Sequence, residues 1–134
     1  MKKTANKNPV KDFTDLNAWK IGRELRKAIY DLVKTLPPEE KYVLGPQLRR
    51  AAISVTANLA EGFGRYTFQE TMQFSRQSRG SAFEVHDHLT TVLDAGYASP
   101  ERWRELDALT QRYIQILNGY IRATRARQST ANTE

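Results

Sequence analysis

The residues best suited to chemistry lie in a few short runs. His86, Asp87 and His88 stand together as "HDH", with Glu84 one turn before His88. Residues two apart on a helix point about 200° apart, so a regular helix cannot aim both histidines at one ion. Glu84 and His88 have ligand spacing, but two ligands make a poor site. Ser54 and Ser81 have no evident histidine–carboxylate partners that would activate a nucleophile. "EGFGR" follows a helical pattern and lacks the strand that precedes a phosphate-binding glycine loop. No nucleophile, base and charge stabiliser converge, so neither an enzyme nor a metal or other cofactor is expected.

Arginine and small residues offer binding chemistry instead. "QLRRAAISVTANLAEGFGRY", residues 47–66, reads as one Ala-rich helix. At about 100° per residue, Leu44, Leu48, Ala52, Val55, Leu59 and Phe63 share its core face. Arg50, Ser54, Asn58, Glu61 and Arg65 fall within an arc of about 80° roughly opposite. Ile53, Ala57 and Ala60 lie between the two faces. A helix that is apolar on more than its core face usually has a second partner. We therefore expect Ile53, Ala57 and Ala60 to form a subunit interface, with Arg50, Asn58 and Glu61 fixing its register. A plain solvated stripe is the alternative.

On the next helix, Phe68, Met72, Ser75, Arg79, Ala82, Phe83, His86, Leu89 and Leu93 share a face. Arg79 sits in the middle of it. A buried guanidinium needs a partner, and Glu61 is the expected one, forming a structural Glu61–Arg79 ion pair. Otherwise Arg79 snorkels to solvent. Phe63, Tyr66 and Phe68 cluster beside Arg65, where they could stack on bases or pack on the end of the fold.

Four helices must position these groups. The first opens at "FTDLNAW" with Thr14 or Asp15 as N-cap. Its core stripe is Ala18, Gly22, Leu25, Ile29, Leu32 and Leu36, and "LPPEE" ends it. The second starts near Gly45-Pro46 and ends at "EGFG", where glycine can take a left-handed cap. The third opens with a Thr67/Glu70 capping box and runs to about Ala95-Gly96. The fourth opens at Ser99-Pro100, with Trp103, Leu106, Thr110, Tyr113, Leu117, Tyr120 and Thr124 as its stripe. No alternating strand pattern occurs. Helices of about 18 to 28 residues joined by short breaks predict an all-α, antiparallel up-down four-helix bundle. Gly22, Gly80 and Gly119 lie inside helices, each costing about 1 kcal/mol against alanine. Close approach of another backbone would explain them.

Composition agrees. The 134 residues suit one domain, and 40% hydrophobic with 27% charged residues favour folding. The chain has no cysteine, which excludes disulfides and thiolate sites and fits a reducing, cytoplasmic setting. "MKKTANKNPVKDF" has no apolar signal region, and no run approaches a membrane span. The net charge is +6. All of it lies in a basic, flexible tail over residues 1–11 and in a helix end and polar tail over 122–134, while the 12–121 bundle sums to zero. Polarity remains inside the bundle. Residues 47–80 hold five arginines and two acids, whereas 81–121 hold six acids and three arginines.

"FTDLNAWKIGREL", "LGPQLRRAAISVTANLAEGFGR" and "FSRQSRGSAFEVHDHL" resemble the four-helix-bundle family encoded in intervening sequences of bacterial 23S ribosomal RNA genes. The central motif matches at Arg49, Arg50, Ser54, Asn58, Ala60, Glu61, Gly62 and Arg65, and a second at Arg79, Gly80, Ser81 and Glu84. Thr56 stands where the family commonly has proline, so this helix should be straighter. The neutral bundle is a second departure. The resemblance implies a small bundle assembled as a ring, typically a homopentamer. It also implies kinship with the basic accessory variability proteins of diversity-generating retroelements, which bind nucleic acid and a reverse transcriptase. The closer match is to the ribosomal branch.

Two functions follow as expectations. One is a non-enzymatic accessory protein that binds RNA or DNA phosphates through Arg49, Arg50, Arg65, Lys2, Lys3, Arg122, Arg125 and Arg127. The other is a structural or protein-interaction module, for example a reverse-transcriptase accessory, with no direct nucleic-acid role. Both are homo-oligomers without a membrane partner.

Overall fold

The computed structural model describes residues 9–133. A 3₁₀ turn at Phe13–Asp15 leads into α1, Asn17–Lys34. A second turn at Pro38–Glu40 precedes α2, Leu44–Phe63. α3 spans Phe68–Ala95 and α4 spans Pro100–Thr133. Each helix packs on its sequence neighbours and α4 returns to α1, which is the expected up-down arrangement. Among the described residues no helix is long and apolar enough to cross a membrane.

Two of the expected helix starts are present. Thr67 Oγ1 accepts from the Glu70 amide at 3.1 Å, and Ser99 Oγ accepts from the Arg102 amide at 3.1 Å. The expected cap of α1 differs. Asp15 Oδ2 accepts from the Lys11 and Asp12 amides at 2.9 and 3.1 Å. These bonds, the Lys11 amide first, hold its carboxyl below the usual carboxylate range. Asp15 therefore ties down the upstream turn, and Leu16 occupies the N-cap of α1 without a side-chain cap.

The end of α2 also differs. Gly64 has φ −80° because its amide still bonds back to Ala60 and Glu61. The left-handed glycine is Gly96, at φ 71° after α3.

The core takes Leu25, Ile29, Leu48, Val55, Leu59, Val85, Leu89, Leu106 and Leu117 fully out of water. At its centre is Tyr113, 0% exposed. A Cβ on Gly22 of α1 would lie 3.0 Å from the Tyr113 ring and 3.2 Å from the Thr56 methyl. The Ser78 hydroxyl donates to the Val55 carbonyl at 2.6 Å. It has one hydrogen, so the Tyr113 hydroxyl, also 2.6 Å away, is the donor to Ser78. Tyr113 thus joins all four helices.

The core face of α3 is rotated from the expected one. Met72, Ser75, Ser78, Ala82, Val85, Leu89 and Val92 face inward, while Phe83 and Leu93 are 50% and 40% exposed. The inward face instead carries Ser78, which bonds to the Val55 carbonyl of α2 and to Tyr113 of α4. Near its start α3 also approaches α2 closely: a Cβ on Gly62 would lie 2.9 Å from Phe74 Cβ and 3.1 Å from the Thr71 carbonyl.

α4 is longer than expected, at 34 residues. Thr124, the last residue of the expected stripe, is buried. No proline follows Pro100, and residues 122–131 are rich in Ala and Arg, so the helix continues. Arg122, Arg125 and Arg127 therefore project from a helix.

Candidate functional site

The expected interface residues sit on the outer side of α2 in part only. Arg50, Ile53, Ala57 and Glu61 are exposed, and Asn58 and Ala60 are half-buried. Ile53 meets Arg26, Lys27, Tyr30 and Asp31 of α1 around a shallow groove of about 440 Å³. Ile53 and Tyr30 are 44% and 37% exposed, so an apolar patch faces outward here. Thr56 lies beneath it. Its hydroxyl accepts from Arg26 Nη1 at 2.8 Å and contacts the Ile53 carbonyl at 3.2 Å. Asn58 Nδ2 donates back to the Ser54 carbonyl at 3.0 Å.

The expected Glu61–Arg79 pair is not formed. Glu61 accepts from Arg65 one turn later on the chain, at 2.6 Å. Arg79 Nη1 donates instead to Asn118 Oδ1 of α4 at 2.7 Å. The rotation of α3 explains the exchange: Arg79 lies at the edge of the core facing α4, not α2.

The arginines chosen from the sequence do not form one patch. Arg49 lines a cleft with Glu40 and Lys41 at the end of the bundle where α2 begins. Arg65 is already neutralised by Glu61 and by Glu70 at 3.8 Å, and its guanidinium lies 4.8 Å from the Phe74 ring centre. Arg127 donates to Thr124 Oγ1 at 3.2 Å and lines the α1 side of α4 with Leu16 and Tyr120. Lys2 and Lys3 lie outside the described residues. Phe63, Tyr66 and Phe68 line a pocket of about 260 Å³ at the bundle end, with Phe63 and Phe68 half-buried and Tyr66 fully exposed.

A more coherent surface is the seam between α3 and α4. Three contacts fix its register: Arg79 to Asn118, His86 Nδ1 to Asp107 Oδ1 at 2.6 Å, and Trp103 Nε1 to the Leu89 carbonyl at 2.9 Å. The helices are antiparallel, so one turn outward from Arg79–Asn118 brings Arg76 level with Arg122. Arg125 follows on the same side of α4. Residues 71–83 and 108–133 contain six arginines and no carboxylate. Arg76, Arg122 and Arg125 are exposed, and none is ion-paired among the described residues. Arg76 lies inside "FSRQSRGSAFEVHDHL" but is not among the residues matched there, which begin at Arg79. The absence of acid over two separated stretches was the available signal.

The histidines diverge, as helix geometry requires. His86 pairs with Asp107, while His88 Nε2 lies 3.3 Å from Glu84 on its own helix. Among the described residues no three metal-binding side chains converge.

This four-helix arrangement is accompanied by a direct sequence match. The model of the 23S rRNA-intervening sequence protein family matches residues 14–119. The chain belongs to that family. Among solved structures it is similar to a Bacteroides thetaiotaomicron protein of unknown function from the S23 ribosomal protein family. That protein superposes with a TM-score of 0.73 at 18% identity, covering 78% of this chain and 97% of its own. At that identity the likeness shows the fold alone. No curated protein matches the chain.

Proposed function

We propose that this family member is a non-enzymatic homo-oligomer that binds nucleic acid through basic side chains. The observation that carries this reading is the acid-free arginine surface of α3 and α4. Three arginines outside this surface stand beside carboxylates: Arg65 with Glu61, Arg102 with Glu105, Arg104 with Glu101. Like charges left unpaired on one surface repel, and a polyanion relieves that repulsion while releasing its counterions. The family description names an intervening sequence of 23S rRNA, so RNA is the ligand to test first.

Full-length protein should bind fluorescently labelled RNA in anisotropy titrations, with affinity falling steeply from about 0.05 to about 0.2 M salt. Four phosphate contacts correspond to a log–log slope of about −3 for a single strand. Absence of binding across that range would favour the protein-interaction reading, to which the exposed Tyr30–Ile53 patch is suited.

Assembly is proposed to use that patch, with Ile53 and Ala57 packing on a neighbouring subunit in a closed ring, a pentamer by family resemblance. Ile53→Asp should lower the particle mass in light scattering to that of a single chain. Its far-ultraviolet circular dichroism should not change, because Ile53 lies outside the core. An unchanged mass would place the interface elsewhere.

A further inference from the structure

We infer that the α3/α4 seam is a single-strand site, in which Arg76, Arg122 and Arg125 hold phosphates and Phe83 stacks on an unpaired base. This rests on the nucleic-acid reading above and adds the place and the form of the ligand.

Phe83 is the starting point. Seven residues separate it from Arg76, which places the two about 20° apart around α3 and about 10 Å apart along it. Phe83 is 50% exposed, unusual for a phenyl ring on a well-packed bundle. Its ring makes an edge-to-face approach to His86, with ring centres 6.5 Å apart. His86 is in turn anchored to Asp107, so the ring has a fixed neighbour on one side.

Gly80, one turn before Phe83, is exposed. A Cβ built there would meet nothing within 4 Å. The helix surface beside Phe83 is therefore bare backbone, leaving room for a flat group against the ring. Arg79, bound to Asn118, keeps α3 and α4 in the register that sets Arg76 opposite Arg122. Glu84 and Asp87 begin beyond Phe83 and bound the patch at that end.

The chemistry selects the strand form. Arginines along a seam suit any phosphate backbone. An exposed aromatic ring adds affinity only where a base face is free. In a duplex those faces are covered by neighbouring base pairs, whereas in a single strand each base can stack on a side chain. Positive charge beside an accessible ring therefore favours single strands over duplexes. An acidic protein partner would use the arginines but not this distinction.

The test uses full-length protein with a labelled oligouridylate and an RNA duplex of equal length, titrated at several salt concentrations. The single strand should bind at least about ten-fold more tightly than the duplex. Phe83→Ala should weaken single-strand binding on the order of ten-fold without changing its salt dependence. Phe83→Trp should keep the affinity. Arg76→Ala combined with Arg122→Ala should lower the salt slope by about 1.4, at about 0.7 per phosphate contact. Light scattering and circular dichroism on each variant monitor assembly and folding. Wild-type protein that binds neither RNA overturns both the site and the nucleic-acid reading. Wild-type binding that resists all these substitutions overturns the seam alone. Phe83→Ala that changes the particle mass and weakens both RNAs equally makes Phe83 a subunit contact and overturns the stacking role.

Discussion

Tyr113→Ala should lower the unfolding free energy by about 3–5 kcal/mol, the range for removing a large buried aromatic side chain. That is a large fraction of the roughly 5–15 kcal/mol typical of a domain. The residue is 0% exposed. Its ring fills the space left by Gly22 on α1 beside the Thr56 methyl of α2, and its hydroxyl reaches Ser78 of α3. Truncation therefore opens a cavity at the one point where four helices meet. Urea denaturation followed by circular dichroism measures it, and an unchanged midpoint would show that the ring is not central to packing. Tyr113→Phe should cost only about 0.5–1.5 kcal/mol, because Ser78 keeps its bond to Val55 and one neutral hydrogen bond is lost.

The same residue gives an alkaline signature. Burial pushes the Tyr113 hydroxyl above its ordinary range. A raised folded-state pKa means that the unfolded chain releases this proton first. The stabilisation is intact below about pH 10, the ordinary tyrosine value, and falls as pH rises above it. The limiting slope for one proton is about 1.4 kcal/mol per pH unit. Tyr120 shifts in the same direction, also through burial. Comparing urea midpoints at about pH 9 and about pH 11 should show a smaller alkaline loss in Tyr113→Phe than in the natural chain. Equal losses would assign the effect to other groups.

Helix number, order and most boundaries were legible because they depend on local chemistry. Thr67, Ser99 and Pro100 act within one turn of where they stand, and the α1 stripe from Ala18 to Leu32 is buried as its spacing requires. The rotation of α3 was not legible in the same way. Its sequence offers two adjacent apolar faces, one with Phe83 and Leu93 and one with Ser78 and Val85. The choice between them shows only in the packed bundle, where Ser78 bonds to the Val55 carbonyl of α2 and to Tyr113 of α4. The error then propagated to Arg79, whose partner depends on which helix it faces. Arg65 gains a second carboxylate neighbour, Glu70, only once the α2–α3 turn is folded. The length of α4 was hidden by reading polar residues as a tail, although nothing there breaks a helix. The seam was visible only as an absence of acid in two stretches that antiparallel packing brings together.

Glycine substitutions should separate the close contacts from the open ones by sign. Gly62→Val should destabilise by about 1–3 kcal/mol, because added volume in a tight core forces neighbouring groups apart. Here the obstructing atoms are Phe74 Cβ and the Thr71 carbonyl, at 2.9 and 3.1 Å from a Cβ. They belong to, or adjoin, the backbone of α3 and cannot rotate away. The Thr71 hydroxyl also donates to the Gly62 carbonyl at 2.9 Å, so separating the helices would break that bond as well. Gly80→Ala should do the opposite and stabilise by about 1 kcal/mol, since alanine is the better helix former and its methyl meets nothing. Thermal unfolding of the two variants beside the natural chain decides the matter. A destabilised Gly80→Ala would mean that something packs on that surface in the assembled protein. A stabilised one leaves a glycine that weakens its own helix with no compensating contact inside the bundle.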